Sequence, residues 1–224
     1  MRTLATLCAL LLFNGAAQAQ QAISFPTSDG GRIYADIYGA GVRAVVLAHG
    51  GRLNKESWRD QAKVLVAAGF RVLAFDFRGI GRSRGPGQSD LESAPLQLDV
   101  LAAIEYLRHN GAKSVDDVGA SMGGSAAADA SIAAPPGLIH RLVLLGAAPA
   151  GPAGQLKCPT LFVVARDDAS GDGPRLPGIR AQFAQAPEPK RLVIVAGSAH
   201  AQFLFQTDQG TRVLNEIMQF LQAK

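Results

Sequence analysis

The sequence has little cysteine and, beyond its first residues, no long hydrophobic run. It holds two cysteines, Cys8 and Cys158, in 224 residues. No internal disulfide can form once the N-terminal segment that carries Cys8 is removed. After residue 19 no apolar stretch reaches the ~20 residues that a membrane-spanning helix requires. These absences predict a domain that depends on its hydrophobic core and does not insert stably into a membrane after that segment is cleaved.

Neither basic nor acidic residues are present in large excess. The chain has 22 basic and 18 acidic residues, and Arg2 lies in the N-terminal segment, so the remaining chain carries a net charge of +3. The basic residues are dispersed, and the nearest approach to a cluster is Arg78, Arg82 and Arg84. No aromatic residues are interleaved with them. This pattern argues against nucleic-acid binding and indicates charge on a solvated surface.

The N-terminal residues have the pattern of a secretory leader. Arg2 precedes an apolar run at residues 4–13 that is too short to span a bilayer, and residues 17–19 read AQA. Small residues at the first and third positions of that triplet are accepted by signal peptidase. We predict a signal peptide over residues 1–19, cleaved after Ala19, and a periplasmic or secreted chain. The alternative is an uncleaved leader that anchors the chain. Residues 20–224 fit a single domain.

Strand-like and helical stretches alternate over the rest of the chain. The candidates for buried strands are residues 44–48, 71–75, 142–145, 160–165 and 192–196, and residues 33–38 alternate like a half-exposed strand in an edge hairpin. The predicted helices are residues 57–68, with Ser57 as the N-cap, 96–109 and 206–221. This order predicts an α/β fold with a mostly parallel central sheet and helices on both faces.

Two acidic residues interrupt the strand that should precede residue 119. Asp116 and Asp117 lie where apolar residues are expected in residues 114–118. Two explanations stay open: the strand is very short and begins at Val118, or the carboxylates lie at its exposed entry.

The sequence GASMG at residues 119–123 has the pattern G-x-S-x-G at a transition from strand to helix. A sharp turn of this kind strains the backbone of its central residue and leaves no room for a Cβ at the flanking glycines. It also holds the Ser121 hydroxyl near a helix N-terminus, where free N–H groups favour developing negative charge. Ser121 is therefore the candidate nucleophile. The alternative is an ordinary small residue in a glycine-lined turn.

A serine nucleophile needs an imidazole to take its proton and a carboxylate to orient that imidazole. His200 is the best candidate, because it leaves strand 192–196 in a loop of small residues at the carboxyl edge of the predicted sheet, where ligands bind. Asp167 and Asp168 follow strand 160–165, and Asp172 lies further along the same loop. Adjacent residues leaving a strand point in opposite directions, so only one of the pair should reach the imidazole.

These motifs together resemble those of the α/β-hydrolase family, over nearly the whole length after the leader and in the same order. The sequence HGG at residues 49–51 is similar to the oxyanion loop of the family, and DFRGIGRS at residues 76–83 is similar to its D-x-R-G-x-G-x-S turn. Residues 119–123 resemble its nucleophile elbow, followed by acid and histidine in the expected order. The resemblance favours Asp168 over Asp167, because Asp168 lies nine residues after Pro159.

The resemblance implies a catalytic triad of Ser121, Asp168 and His200. It implies an oxyanion hole formed by the backbone N–H groups of Met122 and Gly51, with Arg52 as the alternative to Gly51. It also implies structural roles, bracing loops, for Asp76, Arg78 and Ser83. The short connection between residues 145 and 160 leaves no space for a cap domain, so the site should be open.

The implied function is that of a small, cap-less serine esterase, similar to dienelactone hydrolases. Such a protein acts on a small ester-like molecule and needs no metal and no organic cofactor. Two alternatives stay open: acyl transfer to an acceptor other than water through the same triad, and a non-catalytic binding protein that retains the fold.

Overall fold

The computed structural model describes residues 20–223, and the predicted signal peptide lies outside the described residues. An eight-stranded sheet lies at the centre, in the order β1-β2-β4-β3-β5-β6-β7-β10. Its strands are β1 (Gln21–Pro26), β2 (Arg32–Tyr38), β3 (Arg43–Ala48), β4 (Arg71–Phe75), β5 (Ser114–Ala120), β6 (Leu142–Leu145), β7 (Thr160–Ala165) and β10 (Lys190–Val195). A separate small hairpin pairs β8 (Ala169–Ser170) with β9 (Gly173–Pro174). Strands β3 to β10 of the large sheet are parallel to one another, and among the described strands of this sheet only β2 runs antiparallel to its neighbours, β1 and β4, which confirms the predicted sheet.

Helices cover both faces of the sheet. They are α1 (Arg59–Ala67), α2 (Gln97–His109), α3 (Met122–Ala133), α4 (Arg175–Gln185) and α5 (Gly210–Gln222). Helices α2, α3 and α4 pack on one face, and α1 and α5 pack on the other. The predicted α/β-hydrolase architecture is confirmed, and residues 20–223 form no cap domain over the sheet. Between residues 20 and 223 no helix combines the length and the apolar character needed to cross a bilayer.

Element boundaries differ from prediction where short 3-10 helices intervene. Ser57, the predicted N-cap, lies inside the 3-10 helix Lys55–Trp58, and α1 begins only after it. The last helix begins at Gly210 because the 3-10 helix Ala201–Gln206 comes first. Residues 33–38 belong to β2, which pairs antiparallel with the edge strand β1, so the predicted edge hairpin is confirmed.

The turn at residues 76–83 is braced by buried polar contacts. Arg78 is fully buried, and its guanidinium donates to Asp99 Oδ1 and to Asp29 Oδ2, both at 2.6 Å. Asp76 Oδ1 accepts a backbone N–H from the first 3-10 helix at 2.8 Å, and Ser83 Oγ accepts one from β2 at 2.9 Å. The predicted bracing role of this turn is confirmed, whereas the assignment of Arg78 to a solvated surface is wrong.

Strand β5 carries both acidic residues in its buried part, so neither explanation offered for them is correct. Asp116 and Asp117 are fully buried, because β5 is an interior strand, paired with β3 and from Asp117 onward also with β6, in a sheet covered by helices on both faces. Asp116 Oδ1 accepts a hydrogen bond from His140 Nδ1 at 2.8 Å. Neither oxygen of Asp117 has a hydrogen-bond partner among residues 20–223. Burial, with the neighbouring Asp116 carboxylate as a second cause, raises the pKa of Asp117 to about 8.

Candidate active site

The topology brings three strand ends together at one edge of the sheet. After β3 the chain adds β4 on one side and β5 on the other, which opens a crevice at the carboxyl ends of these strands. Ser121 directly follows β5, whereas Asp168 and His200 follow the parallel strands β7 and β10 after a few residues. The carboxyl ends of parallel strands meet at the same edge, so residues far apart in the sequence become neighbours.

The turn around Ser121 has the strained geometry that the motif predicts. Ser121 has φ 51° and ψ −122°, in the region of positive φ that L-residues other than glycine rarely adopt. A Cβ on Gly119 would lie 2.4 Å from the carbonyl oxygen of Gly123, and one on Gly123 would lie 2.4 Å from that of Ala48. Both positions therefore require glycine. Helix α3 begins at Met122, and the N–H groups of its first turn have no partners within the helix.

The structure brings Ser121, His200 and Asp168 into one hydrogen-bonded chain. His200 Nδ1 lies 2.8 Å from Asp168 Oδ2, and His200 Nε2 lies 2.7 Å from Ser121 Oγ. An ionised carboxylate can only accept, so Nδ1 carries the proton and Nε2 is free to accept from the serine hydroxyl. Asp168 is fully buried, whereas Asp167 is exposed. Of the two adjacent acids, the structure therefore places Asp168 against the imidazole.

The loop after β3 lies beside the start of α3. The Gly50 N–H donates to Gln202 Oε1 at 2.8 Å, and the Gln202 amide donates to Ser57 Oγ at 2.9 Å. A Cβ on Gly51 would lie 3.5 Å from Met122 Sδ, so the Gly51 backbone adjoins Met122. Within the described part of the chain, the N–H groups of Gly51 and Arg52 donate no hydrogen bond. Both predicted donors of this loop are thus free.

Gln202, in the 3-10 helix that follows His200, contacts this loop and was missed by sequence reasoning. It is buried and ties the oxyanion loop to the segment that carries His200. Its sequence signal is weak, because a glutamine two residues after a histidine belongs to no periodic pattern and to no motif. Only the fold shows that it faces Gly50.

His49 is buried behind the same loop as a neutral ring. Burial lowers the pKa of His49 to about 4, so its ring is uncharged at neutral pH. The Phe77 N–H donates to His49 Nε2 at 3.2 Å, which leaves the proton on Nδ1, and Nδ1 donates to the Gly50 carbonyl oxygen at 2.8 Å. The ring therefore fixes the turn and has no free nitrogen for proton transfer.

Two open cavities lie on either side of Ser121. The first, of about 500 Å³, is bounded by Ser125, by residues 146–149 and by the segment from β8 to α4. The second, of about 670 Å³, is bounded by the oxyanion loop, by His200 and by the apolar side chains of Leu53, Leu91 and Phe203. Ser121, Met122, Ser170 and Arg175 line both. Within residues 20–223 no group of three or more histidine, cysteine or acidic side chains is arranged to hold a metal ion.

A mostly parallel sheet with a strained serine at its carboxyl edge defines a site of the α/β-hydrolase type. The model of the α/β-hydrolase fold family matches residues 43–220, and the chain belongs to this family. It is 35% identical over 123 residues to a non-heme haloperoxidase of Rhodococcus erythropolis, covering 54% of this chain and 43% of that protein. It is 33% identical over 136 residues to a 2-hydroxy-6-oxononadienedioate/2-hydroxy-6-oxononatrienedioate hydrolase of Cupriavidus pinatubonensis, covering 58% and 44%. The matched region thus spans less than half the length of these curated relatives.

Solved structures share the fold over nearly the whole described chain. An esterase from Exiguobacterium antarcticum aligns with a TM-score of 0.73 at 17% identity, covering 91% of this chain and 100% of the other. A dienelactone hydrolase from Anabaena variabilis aligns with a TM-score of 0.72 at 22% identity, covering 91% and 97%. At these identities the likeness shows the fold alone.

Proposed function

We propose that this protein is a serine hydrolase that cleaves a carboxylic ester, or a related acyl bond, of a small molecule through an acyl-enzyme on Ser121. The observation that carries the proposal is the unbroken chain from Ser121 Oγ through both ring nitrogens of His200 to the buried Asp168. Its two contacts have the lengths of strong hydrogen bonds, and its order is that of a nucleophile, a base and an orienting acid.

In the proposed reaction Ser121 Oγ attacks the substrate carbonyl carbon while its proton passes to His200 Nε2. The carbonyl oxygen becomes an oxyanion and accepts hydrogen bonds from the N–H groups of Met122 and Gly51. His200 then gives its proton to the leaving alcohol, and the acyl group stays on Ser121. A water molecule, deprotonated by His200, attacks the acyl-enzyme, releases the carboxylic acid and restores the serine. Asp168 stays ionised throughout and stabilises the charged imidazole.

We also propose that the chain acts in the periplasm or outside the cell, on the support of the leader pattern in residues 1–19. Expression of the chain with and without residues 1–19 in a bacterium, followed by cell fractionation, tests this. The full-length chain should be found shortened in the periplasmic fraction. Retention of its full length in the cytoplasm would contradict the proposal.

A second candidate is acyl transfer to an acceptor other than water. Two observations favour it: the cavities on both sides of Ser121 are open, and one curated relative is named a non-heme haloperoxidase. The acyl-enzyme would be the same. An alcohol in place of water would take up the acyl group as a new ester, and hydrogen peroxide would release it as a peracid. Product analysis in mixtures of water and each acceptor separates transfer from hydrolysis.

Labelling with a fluorophosphonate probe should occur on the native protein and be absent from Ser121→Ala. His200→Ala should label at least about 100-fold more slowly, because the hydroxyl loses its base. Ser125→Ala is the matched control, since Ser125 lies one turn further along α3 and lines the first cavity but does not contact His200. It should label at the native rate. Equal labelling of Ser121→Ala and the native protein would identify a different nucleophile, and no labelling of the native protein would favour a non-catalytic protein.

Replacing Gln202 by alanine should lower kcat about 10-fold with a smaller change in KM. The substitution removes the acceptor of the Gly50 N–H, so the oxyanion loop loses an anchor and its donors lose their fixed position. Steady-state kinetics with a 4-nitrophenyl ester measure the effect. Gln206→Ala, an exposed glutamine of the same 3-10 helix, is the matched control and should stay within twofold of native. An unchanged kcat in Gln202→Ala would show that the loop holds its position without this contact.

A further inference from the structure

Arg175 lies between the acid of the triad and both cavities. The β8–β9 hairpin leads the chain back to Asp168, so that the Arg175 N–H donates to the Asp168 carbonyl oxygen at 2.9 Å. The Arg175 Nε lies 3.4 Å from Asp168 Oδ1, the carboxylate oxygen that does not face His200. The side chain is 36% exposed and lines both cavities beside Ser121. This pairing fixes where the guanidinium lies.

The guanidinium still has unused hydrogen-bond donors. It carries five N–H donors in a planar fork, and within residues 20–223 none of them makes a hydrogen bond, although Nε is buried beside Asp168. The ion pair with Asp168 engages the Nε side of the group. The terminal nitrogens are therefore available to a ligand in the cavities, in the geometry that suits a carboxylate.

The reaction geometry assigns different parts of an ester to the two cavities. The leaving oxygen must face His200 Nε2, which gives it a proton, and His200 lines only the larger cavity. The acyl group must then extend to the other side of Ser121, into the smaller cavity. There Arg175 is the one basic residue among the described lining residues, and Ser125 and Gln182 add polar groups.

Two acidic side chains, Asp168 and Asp172, lie near Arg175, and neither hydrogen-bonds its terminal nitrogens. Asp172 also lines the smaller cavity, but it is exposed at the tip of the hairpin, where water and salt screen its charge. Asp168 pairs with Arg175 Nε through one oxygen and with His200 through the other, and it does not line this cavity. A partly buried guanidinium favours an anion more strongly than an exposed carboxylate opposes it.

We infer that Arg175 binds a carboxylate on the acyl part of the substrate, so that the preferred substrates are half-esters of dicarboxylic acids. This inference rests on the proposed esterase function. Hydrolysis of such a half-ester consumes one water and releases a dicarboxylate, an alcohol and one proton. A charged, bidentate contact of this kind favours the anionic substrate by about 10-fold or more over a neutral one of the same length.

The test compares two substrates that differ only at the end of the acyl chain, mono-4-nitrophenyl adipate and 4-nitrophenyl hexanoate. The measured quantity is the ratio of their kcat/KM values at low ionic strength, after subtraction of spontaneous hydrolysis. Taking the ratio cancels any effect of a variant on the triad. We expect about 10 or more for the native protein, a fall of about 10-fold in Arg175→Gln, and an intermediate value in Arg175→Lys, which keeps the charge without the fork. Arg180→Gln, which removes an exposed cation from the same helix α4 and lines neither cavity, is the matched control and should keep the native ratio.

A native ratio of one or less would overturn the inference, whether or not any variant folds. A preference that persists in Arg175→Gln would overturn it as well, because another group would then bind the carboxylate. Either result, together with intact fluorophosphonate labelling, leaves the proposed hydrolase function standing. Absence of labelling would instead remove that function.

Discussion

Asparagine in place of Asp168 should lower kcat by about three to four orders of magnitude. The carboxylate accepts the Nδ1 proton of His200 at 2.8 Å and so keeps Nε2 free for the serine proton. An amide can present its NH₂ group to Nδ1 instead, which favours the tautomer that carries its proton on Nε2, and it supplies no charge to stabilise the imidazolium. Substrate binding should change little, so the loss should appear in kcat more than in KM.

Asp167→Asn provides the matched control for this prediction. Asp167 is the adjacent residue and is exposed, and its backbone N–H, which donates to the Gly197 carbonyl oxygen at 3.0 Å, survives the substitution. Its kcat should stay within about twofold of native, in line with a solvated side chain. Circular dichroism checks that both variants fold. A large loss in Asp167→Asn with a nearly active Asp168→Asn would reverse the assignment of the acid.

Valine in place of Asp117 should stabilise the protein, and more so at alkaline than at acid pH. Asp117 is fully buried in a central parallel strand, and no described residue hydrogen-bonds its carboxyl oxygens. Even when protonated, an unpaired carboxyl group of this kind costs about 1–3 kcal/mol. Valine has a similar size and the β-branched shape that a buried strand favours. Urea unfolding at several pH values measures the gain in the free energy of unfolding.

The pH dependence of this gain follows from the raised pKa of Asp117. The unfolded chain ionises the carboxyl at its ordinary value of 3.8, whereas burial keeps it protonated in the folded chain until about pH 8. Between these values the folded state binds the extra proton, so native stability falls as the pH rises, and this contribution levels off above pH 8. Asp117→Val, which cannot titrate, should therefore gain on the order of 4 kcal/mol more at pH 8 than at pH 5.

Two further variants separate charge from packing at this position. Asp117→Asn removes the ionisation but leaves an unpaired polar group, so it should remove most of the pH dependence with a smaller overall gain. Asp116→Val is the neighbouring control, and it should stabilise less because it removes the contact with His140. A pH-independent difference between native and Asp117→Val would mean that the folded chain does not hold Asp117 protonated.

Residues with a local pattern were predictable from the sequence. Asp168 and His200 each follow a continuous apolar run, and Ser121 lies in a G-x-S-x-G motif that marks the end of a strand, so their meeting at one edge needs only a parallel sheet. The elbow glycines were predictable for the same reason, because the shape of a single turn leaves no room for a Cβ at Gly119 and Gly123. The strained φ of Ser121 confirms that argument.

What the sequence could not show depends on contacts between distant segments. An acidic residue such as Asp117 is unfavourable in a buried strand, so local propensity predicted either a shorter strand or carboxylates at its exposed entry. The fold buries it because neighbouring strands fix the register of β5 over its whole length. The roles proposed for Gln202 and Arg175 depend on where a 3-10 helix and a hairpin of two-residue strands place them, and neither element has a periodicity long enough to recognise.

Hydrogen bonds hold the C-terminal end of α5 at the edge of the sheet that is farthest from Ser121. Arg43, which opens β3, donates to the carbonyl oxygen of Leu221, and Arg141, which precedes β6, donates to that of Ala223 at 2.7 Å. These residues lie at the amino ends of strands, whereas the triad occupies the carboxyl ends. A purification tag or a solid support joined behind α5 would thus project away from the cavities, and an immobilised protein would keep its substrate entrance turned toward the solution.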